Sequence, residues 1–382
     1  MNIEEFKAGY RRKGNNYHYF LPEKINHEFI WSDSTISGLL EKASLKLGEL
    51  NSFARFVPDA DVFIRMHVYN EAVLSSRIEG TKTQIGEALL EEKDINPEKR
   101  DDWKEVDNYV AAMNYSLDAL KNLPLSSRLI RDTHTILLES VRGHHKKPGE
   151  FRKSQNWIGG TTLSDAVFVP PIHEEVPELM SDLVKFLHNN DIQVPHLIRI
   201  AIAHYQFETI HPFLDGNGRM GRLLITLYLV SSGVLERPLL YLSDFFHHHR
   251  NLYFDNLMVV REKNDLVQWI KFFLNAIAAT ADKSTATLND ILKLKSTLEQ
   301  NMYPALGKRL KSGQAFFAVL FSNPFASSKS VQKITGLSPK AANDLIGKFV
   351  ELDILQESTG YQRNRIFVFK SYLDLFNKVE KA

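Results

Sequence analysis

The stretch that decides the reading runs His211-Pro-Phe-Leu-Asp215-Gly216-Asn217-Gly218-Arg219-Met220-Gly221-Arg222. It sits between two apolar, helix-like runs, Leu197 to Phe207 and Leu223 to Val230, so its polarity interrupts a core and needs a reason. Glycines at 216 and 218 let backbone N–H groups approach a ligand closely. A helix starting near Asn217 would offer unpaired N–H groups and a positive dipole end, a natural anion site. Arg219 and Arg222, three residues apart, share a face of that helix, and their guanidinium forks suit phosphate oxygens. Asp215 is an oxygen ligand of the kind Mg²⁺ accepts. His211 carries the side chain whose ordinary pKa lies nearest neutrality, suited to taking a proton from a hydroxyl. Phe213 reads as a core anchor for the loop. Singly, each residue has a bland explanation; the fixed spacing of all of them argues for a polyphosphate held against a nucleophile. No Gly-x-x-x-x-Gly-Lys-Ser/Thr loop precedes the run, which disfavours an ordinary phosphate-loop hydrolase.

At every defined position the run resembles the His-x-Phe-x-Asp-Gly-Asn-Gly-Arg-x-x-Arg motif of the Fic family of nucleotide-transferring enzymes. The resemblance implies a protein adenylyltransferase that uses ATP and Mg²⁺. His211 would deprotonate a Ser, Thr or Tyr hydroxyl, and Asp215 would hold the metal. Gly216, Asn217, Gly218 and Arg219 would cradle the α- and β-phosphates, with Met220 and Gly221 completing the nucleotide-binding run. Arg222 would grip the γ-phosphate. A branch of the family that phosphorylates its target has lysine where this chain has Gly218, so glycine here favours AMP transfer.

Upstream, Ser75-Ser-Arg-Ile-Glu79-Gly80 closes a helical stretch from about Ala60 to Ile78. The Ser-x-x-x-Glu-Gly pattern resembles the family's inhibitory motif, in which Ser75, Glu79 and Gly80 would form a brake and Glu79 would pair with Arg222. Extended, β-branched and aromatic segments around Trp157, Ile158, Gly159, Phe168 and Val169 read as a hairpin. They resemble the family's flap, which docks the target by strand addition. Tyr253 is a candidate for packing near the nucleotide, with core packing as the competing reading; His204 reads as core. The consecutive histidines 247–249 and 144–145 lack the spacing of metal pairs on a helix.

The chain has 382 residues, a formal net charge of +1 and no cysteine. These values offer no global attraction to nucleic acid or membrane, and they exclude disulfides and thiolate chemistry. The N-terminus lacks a signal-peptide pattern and no run is apolar enough to span a bilayer, so a cytoplasmic protein is expected. The expected fold is mainly α: a Fic-type helical core with a β-hairpin flap, plus a C-terminal winged helix-turn-helix domain. Helical patterns fall at 35–55, 60–79, 83–93, 98–121, 126–141, 173–189, 195–208, 218–232, 249–262 and 264–280. The predicted organisation is an extended arm and helix over 1–58, a catalytic core over 59–281 with inhibitory helix 60–79 and flap 152–172, a helical connector over 282–310, and the winged module over 311–382. That module carries ten basic and six acidic residues, with Arg363 and Arg365 on the expected wing. DNA is therefore a weaker expectation than a protein partner or a homodimer. Target proteins and self-modification are the partners the resemblance implies. Two alternatives stay open: a DNA-binding regulator whose nucleotide site only senses, and a Fic enzyme using another donor or removing AMP.

Overall fold

The computed structural model describes all residues except 15, 57–59, 140–145, 360–364 and 377–382, so His144, His145 and Arg363 lie outside the described residues. Helices dominate. The N-terminal residues form a short turn (Ile3–Glu5) and two antiparallel strands, β1 (Gly9–Lys13) and β2 (His18–Pro22), registered from Gly9 opposite Pro22 to Lys13 opposite His18. An extended arm, without a strand pair, was the expectation there. The strands escaped notice because four consecutive residues of β2 are buried, which erases the alternation that marks a half-exposed strand.

Helices α1 (Ser34–Phe56), α2 (Ala60–Ile78), α3 (Ile85–Ala88), α4 (Arg100–Ala119), α5 (Ser127–Leu137) and α6 (Val176–His188) follow. The predicted helix over 83–93 shrinks to α3 and a separate turn over Glu92–Asp94. The core continues through α7 (His196–Ile210), α8 (Asn217–Ser231), α9 (Ser243–His248), α10 (Arg250–Lys263) and α11 (Leu266–Leu306). The short α9 was not expected. Nor is there a break at 281: one 41-residue helix, started by the Asp265 side chain accepting from the Gln268 N–H, runs through both the predicted last core helix and the connector. Its polar second half reads as a separate element in sequence, but α1 packs against this long helix, and Leu288 and Ile291 in that half are buried.

At the centre lies α7, buried from Leu197 to Ile210 and packed against α6, α8 and α11. Its polar residues are tied off internally: Arg199, for example, donates to the carbonyls of Phe186 and Asn189 at the end of α6. Such a helix presents no amphipathic stripe, and its sequence accordingly looks apolar on all sides.

The C-terminal segment contains α12 (Leu310–Leu320), β3 (Phe325–Ala326), α13 (Ser328–Thr335), α14 (Pro339–Glu351), β4 (Gln356–Glu357), β5 (Phe367–Val368) and α15 (Lys370–Leu373). The strands form one antiparallel sheet in the order β3-β5-β4. Ser338 caps α14 by accepting from the Ala341 N–H with Pro339 at the first position, and Gly336 ends α13 at φ 70°, as their residue types dictate. The segment packs on the core: the Phe376 ring meets buried His67 of α2 edge-on at 5.2 Å. No helix among the described residues is long and apolar enough to cross a membrane.

Candidate functional site

The site lies where α7 ends and α8 begins. His211 caps α7 in the left-handed conformation, at φ 50° and ψ 62°, and Gly216 turns the chain again at φ 73° to launch α8. A non-glycine residue held there costs about 1–3 kcal/mol unless its surroundings fix it. They do. The Asn217 side chain accepts the Phe213 N–H and donates to the Phe213 carbonyl, both at 2.9 Å, closing the loop on itself. Beneath it, the His134 ring stacks on Phe213 at 3.7 Å. The Gly149 N–H donates to His134 Nδ1, which places the imidazole proton on Nε2, and Nε2 donates to the Asp215 carbonyl at 2.9 Å. Burial lowers the His134 pKa to about 4, so this strut is neutral.

The loop leaves an anion site. The N–H groups of Asn217, Gly218 and Arg219 have no partner among the described residues, and Met220 is the first to bond back, to Gly216. Beside them the Asp215 side chain is 45% exposed, and its Oδ1 accepts the Gly216 N–H. That geometry suits a cation shared between one carboxylate and phosphate oxygens, as Mg²⁺ prefers. The His211 Nδ1 is buried with no hydrogen-bond partner among the described residues. Burial first, and then the charges of Arg261 and Arg152, hold the His211 pKa down to about 3, outweighing the Glu208 carbonyl and the Glu79 carboxylate. The ring is thus a free base at neutral pH.

Glu79 reaches into this site from the end of α2. Arg222 donates from Nε to Ser75 Oγ (2.8 Å) and from Nη2 to the Ser75 carbonyl (2.9 Å) and Glu79 Oε1 (2.7 Å). The Arg222 side chain is 1% exposed and that of Glu79 38%. Burial alone would raise the Glu79 carboxyl, but the charge and hydrogen bond of Arg222, with Arg219 and His211, lower it, so the pair is ionic. Gly80, at φ 108°, turns the chain away just after it. Gly218 makes the approach feasible: a Cβ there would lie 2.2 Å from Glu79 Oε1.

The other candidates are held differently. Tyr253 is fully buried, stacked on Phe246 at 4.4 Å, with its hydroxyl 2.8 Å from His204 Nε2 and beside the Arg222 guanidinium. Met220 is a core residue, and Gly221 faces Glu208, whose Oε1 a Cβ at 221 would meet at 2.2 Å. The Asn217 side chain is spent on Phe213, so only its backbone is available to an anion. Arg219 is buried against Glu105 of α4 at 3.0 Å, with Nη2 4.0 Å from Asp215, so it is a half-neutralised cation rather than a free one. The flap is no extended hairpin: its strand pairing is a single bridge, Ile158 to Phe168. Asp165 shapes the tip by accepting from the N–H and hydroxyl groups of Thr161 and Thr162. Trp157 and Gly159 flank the bridge on the outer edge and are exposed. Phe168 instead packs inward between Phe20 and Arg261, and the Val169 carbonyl accepts the Phe20 N–H of β2.

Sequence reasoning missed Glu105, His134, Arg152, Asn156, Glu208 and Arg261. Only Glu208 had a signal, as a carboxylate inside a run of buried apolar residues; burial raises its pKa to about 7. The others come from distant segments with no pattern of their own.

Residues 37–118 match the N-terminal region of the Fic/DOC family and residues 124–229 the Fic/DOC family itself. The chain is 27% identical over 259 residues to a protein adenylyltransferase Fic of Culex quinquefasciatus, spanning 64% of this chain and 46% of that protein. It is 31% identical over 168 residues to protein adenylyltransferase fic-1 of Caenorhabditis briggsae, spanning 41% and 30% respectively. The chain therefore covers less than half the length of these relatives. Its fold is that of a Fic family protein from Desulfovibrio desulfuricans G20, with a TM-score of 0.55 at 21% identity over 90% of this chain and 98% of that one. C. elegans Fic-1 (residues 134–508) also shares it, with a TM-score of 0.52 at 22% identity over 69% and 75%.

Proposed function

We propose, for a chain that carries the N-terminal and catalytic domains of the Fic/DOC family, transfer of AMP from ATP to Ser, Thr or Tyr hydroxyls of proteins, itself included. The observation that carries this reading is the convergence of a neutral imidazole, the three unpartnered N–H groups of α8 and the buried Arg222 around one opening. The acceptor hydroxyl gives its proton to the neutral His211 imidazole as its oxygen attacks the α-phosphorus. The bond from that phosphorus to the bridging oxygen breaks and pyrophosphate leaves. A bound triphosphate offsets the cations that depress His211, making it a stronger base when the reaction needs one. Asp215 would hold Mg²⁺, which when bound offsets charge on the leaving pyrophosphate. Orientation and fixed electrostatics, rather than covalent chemistry by the protein, supply the rate.

Glu79 is the brake in this reading. Its carboxylate occupies the free side of the Arg222 guanidinium, the group assigned to the γ-phosphate, so the two anions compete. The outer edge at Trp157 and Gly159 is the docking line for a target segment, whose main chain would pair there with little sequence demand. The order helix, strand, helix, helix, strand, strand supports a winged helix-turn-helix reading of 311–382. Lys348 pairs with Glu351 on its third helix and Arg365 with Glu357 on the wing, which occupies two cations that a DNA face would use and is in keeping with a protein partner or a second copy.

The test is incubation of the purified chain with ATP labelled at the α-phosphorus and Mg²⁺, followed by mass spectrometry of the labelled protein. Label and an AMP mass increment on hydroxyl residues, both abolished by His211→Ala, are expected. Label from a γ-labelled donor instead, or label retained in His211→Ala, overturns the assignment.

A further inference from the structure

One buried guanidinium ties the flap to the catalytic loop. Arg152 stands at the root of the flap, 3% exposed, and makes no ion pair among the described residues. Burial lowers its pKa, but only to about 10, so it stays charged. Its N–H groups are spent on backbone carbonyls. Nε donates to His211 at 3.0 Å, Nη1 to Ser154 at 3.3 Å, and Nη2 to Ile210 at 3.3 Å and to Pro171. Its own backbone N–H donates to Pro212 at 2.9 Å. Asn156, two residues beyond Ser154, donates from Nδ2 to the carbonyls of His211 (3.2 Å) and Phe213 (2.9 Å). Ser154 and Pro171 are the two ends of the flap; Ile210, His211, Pro212 and Phe213 are the turn that carries the base.

We infer that Arg152, assisted by Asn156, is a positioning residue for His211: it fixes the left-handed turn that aims the imidazole and locks both flap roots to that turn. The inference deepens the transferase reading and rests on it. The conformation of His211 is one a β-carbon disfavours, so something must over-determine it. Two donors converging on the His211 carbonyl, with a third on Pro212, do so. A planar fork with five donors can serve four carbonyls in different directions at once, which an ammonium on a flexible stem cannot. The same geometry sets the distance between an acceptor held along the flap and the base that deprotonates it. A staple that only stabilised the fold would have no reason to centre on the one residue whose side chain must face the anion site.

The experiment uses the full chain carrying Glu79→Gly, with pyrophosphate release followed against ATP concentration and pH. Arg152→Met and Arg152→Lys are expected to lower kcat by about 10²-fold, the size of effect that small misplacement of a reacting group produces, with KM for ATP unchanged. The charged groups facing His211 are Arg152 from the flap root, Arg261 from α10 and Glu79 from α2, with the Glu208 carbonyl on α7. Removing the Arg152 charge must therefore raise the imidazole pKa, moving the acid limb of the kcat profile to higher pH in Arg152→Met but not in Arg152→Lys. Asn156→Leu, which keeps the guanidinium, is expected to lower kcat without moving the limb. An unchanged kcat in Asn156→Leu, or an effect of Arg152→Met confined to KM, overturns the inference. Should Arg152→Met fail to fold, Asn156→Leu and Arg152→Lys remain decisive. An inactive Glu79→Gly parent would instead sink the transferase reading, and NMR titration of His211 in parent and Arg152→Met would still report whether the cation governs the imidazole.

Discussion

Replacing Glu79 tests the central electrostatic argument directly. Among the described residues Arg222 donates to Ser75 Oγ, to the Ser75 carbonyl and to Glu79 Oε1, and of these the Glu79 oxygen is the charged one. A charge-assisted hydrogen bond contributes about 1.5–3 kcal/mol. Because the carboxylate side is 38% exposed, solvent screens it, and the low end, about 1.5–2 kcal/mol, is appropriate. An incoming γ-phosphate must displace that bond before it can engage Arg222, so abolishing it favours the productive complex by roughly 10- to 30-fold at 1.36 kcal/mol per decade. Glu79→Gly also clears the space over Gly218, where Oε1 now sits. Glu79→Gln retains the bulk without the charge and should recover only part of the gain. The assay is initial-rate incorporation of label from α-labelled ATP into the chain itself at subsaturating ATP, with ATP affinity measured by calorimetry. Equal rates for wild type, Glu79→Gln and Glu79→Gly, with ATP bound in all three, would refute the competition argument.

Three further outcomes follow from the same geometry. Glu105→Ala removes the carboxylate 3.0 Å from the buried Arg219, leaving Asp215 at 4.0 Å, and should cost about 3 kcal/mol of stability, read as a lower urea midpoint at unchanged slope; a loss under about 0.5 kcal/mol would mean water or Asp215 replaces the partner. Gly221→Ala forces a methyl against the buried Glu208 carboxyl at 2.2 Å and should destabilise by about 1–3 kcal/mol in the same assay, whereas Gly347→Ala, on an open face, should not. Among the described residues six histidines have pKa values depressed by burial: His67 and His134 to about 4, His204 and His211 to about 3, with His196 and His247 also lowered. On acidification below about 6.5 the unfolded chain binds protons the native state refuses, so their stability contribution, complete above that pH, is lost as pH falls toward 3. Burial raises Glu71 and Glu208 to about 7, and their contribution runs the other way, complete below about 4.5 and lost as pH rises through 7. The histidines outnumber the carboxyls, so the thermal midpoint should fall between pH 6.5 and 4.5; a midpoint that rises there contradicts the burial assigned to them.

Much of this molecule was written locally. Helices α1, α2, α4 to α8, α10, α13 and α14 follow from apolar spacing and from caps such as Ser338-Pro339 and Gly336, because those signals act within one or two turns of chain. The twelve-residue run from His211 fixed which atoms could meet a phosphate, and the spacing of Ser75, Glu79 and Gly80 marked the segment that reaches Arg222. What escaped were features that depend on a neighbour. Strand β2 and the unbroken α11 look irregular alone because burial on several sides, or packing against α1, removes the periodicity that sequence reading needs.

The division is sharpest at the site itself. Sequence determined the inventory: an imidazole, an exposed carboxylate, a glycine-opened helix start and two guanidinium groups at fixed separations along one chain. Only tertiary structure decided their states. Arg219 is paired because Glu105 arrives from α4, Arg222 because α2 ends over it, and the imidazole is a free base because the packed core buries it and Arg261 and Arg152 lie beside it. Charge and protonation depend on distances of a few ångströms between segments a hundred residues apart, and chain order does not encode those distances until the core has packed.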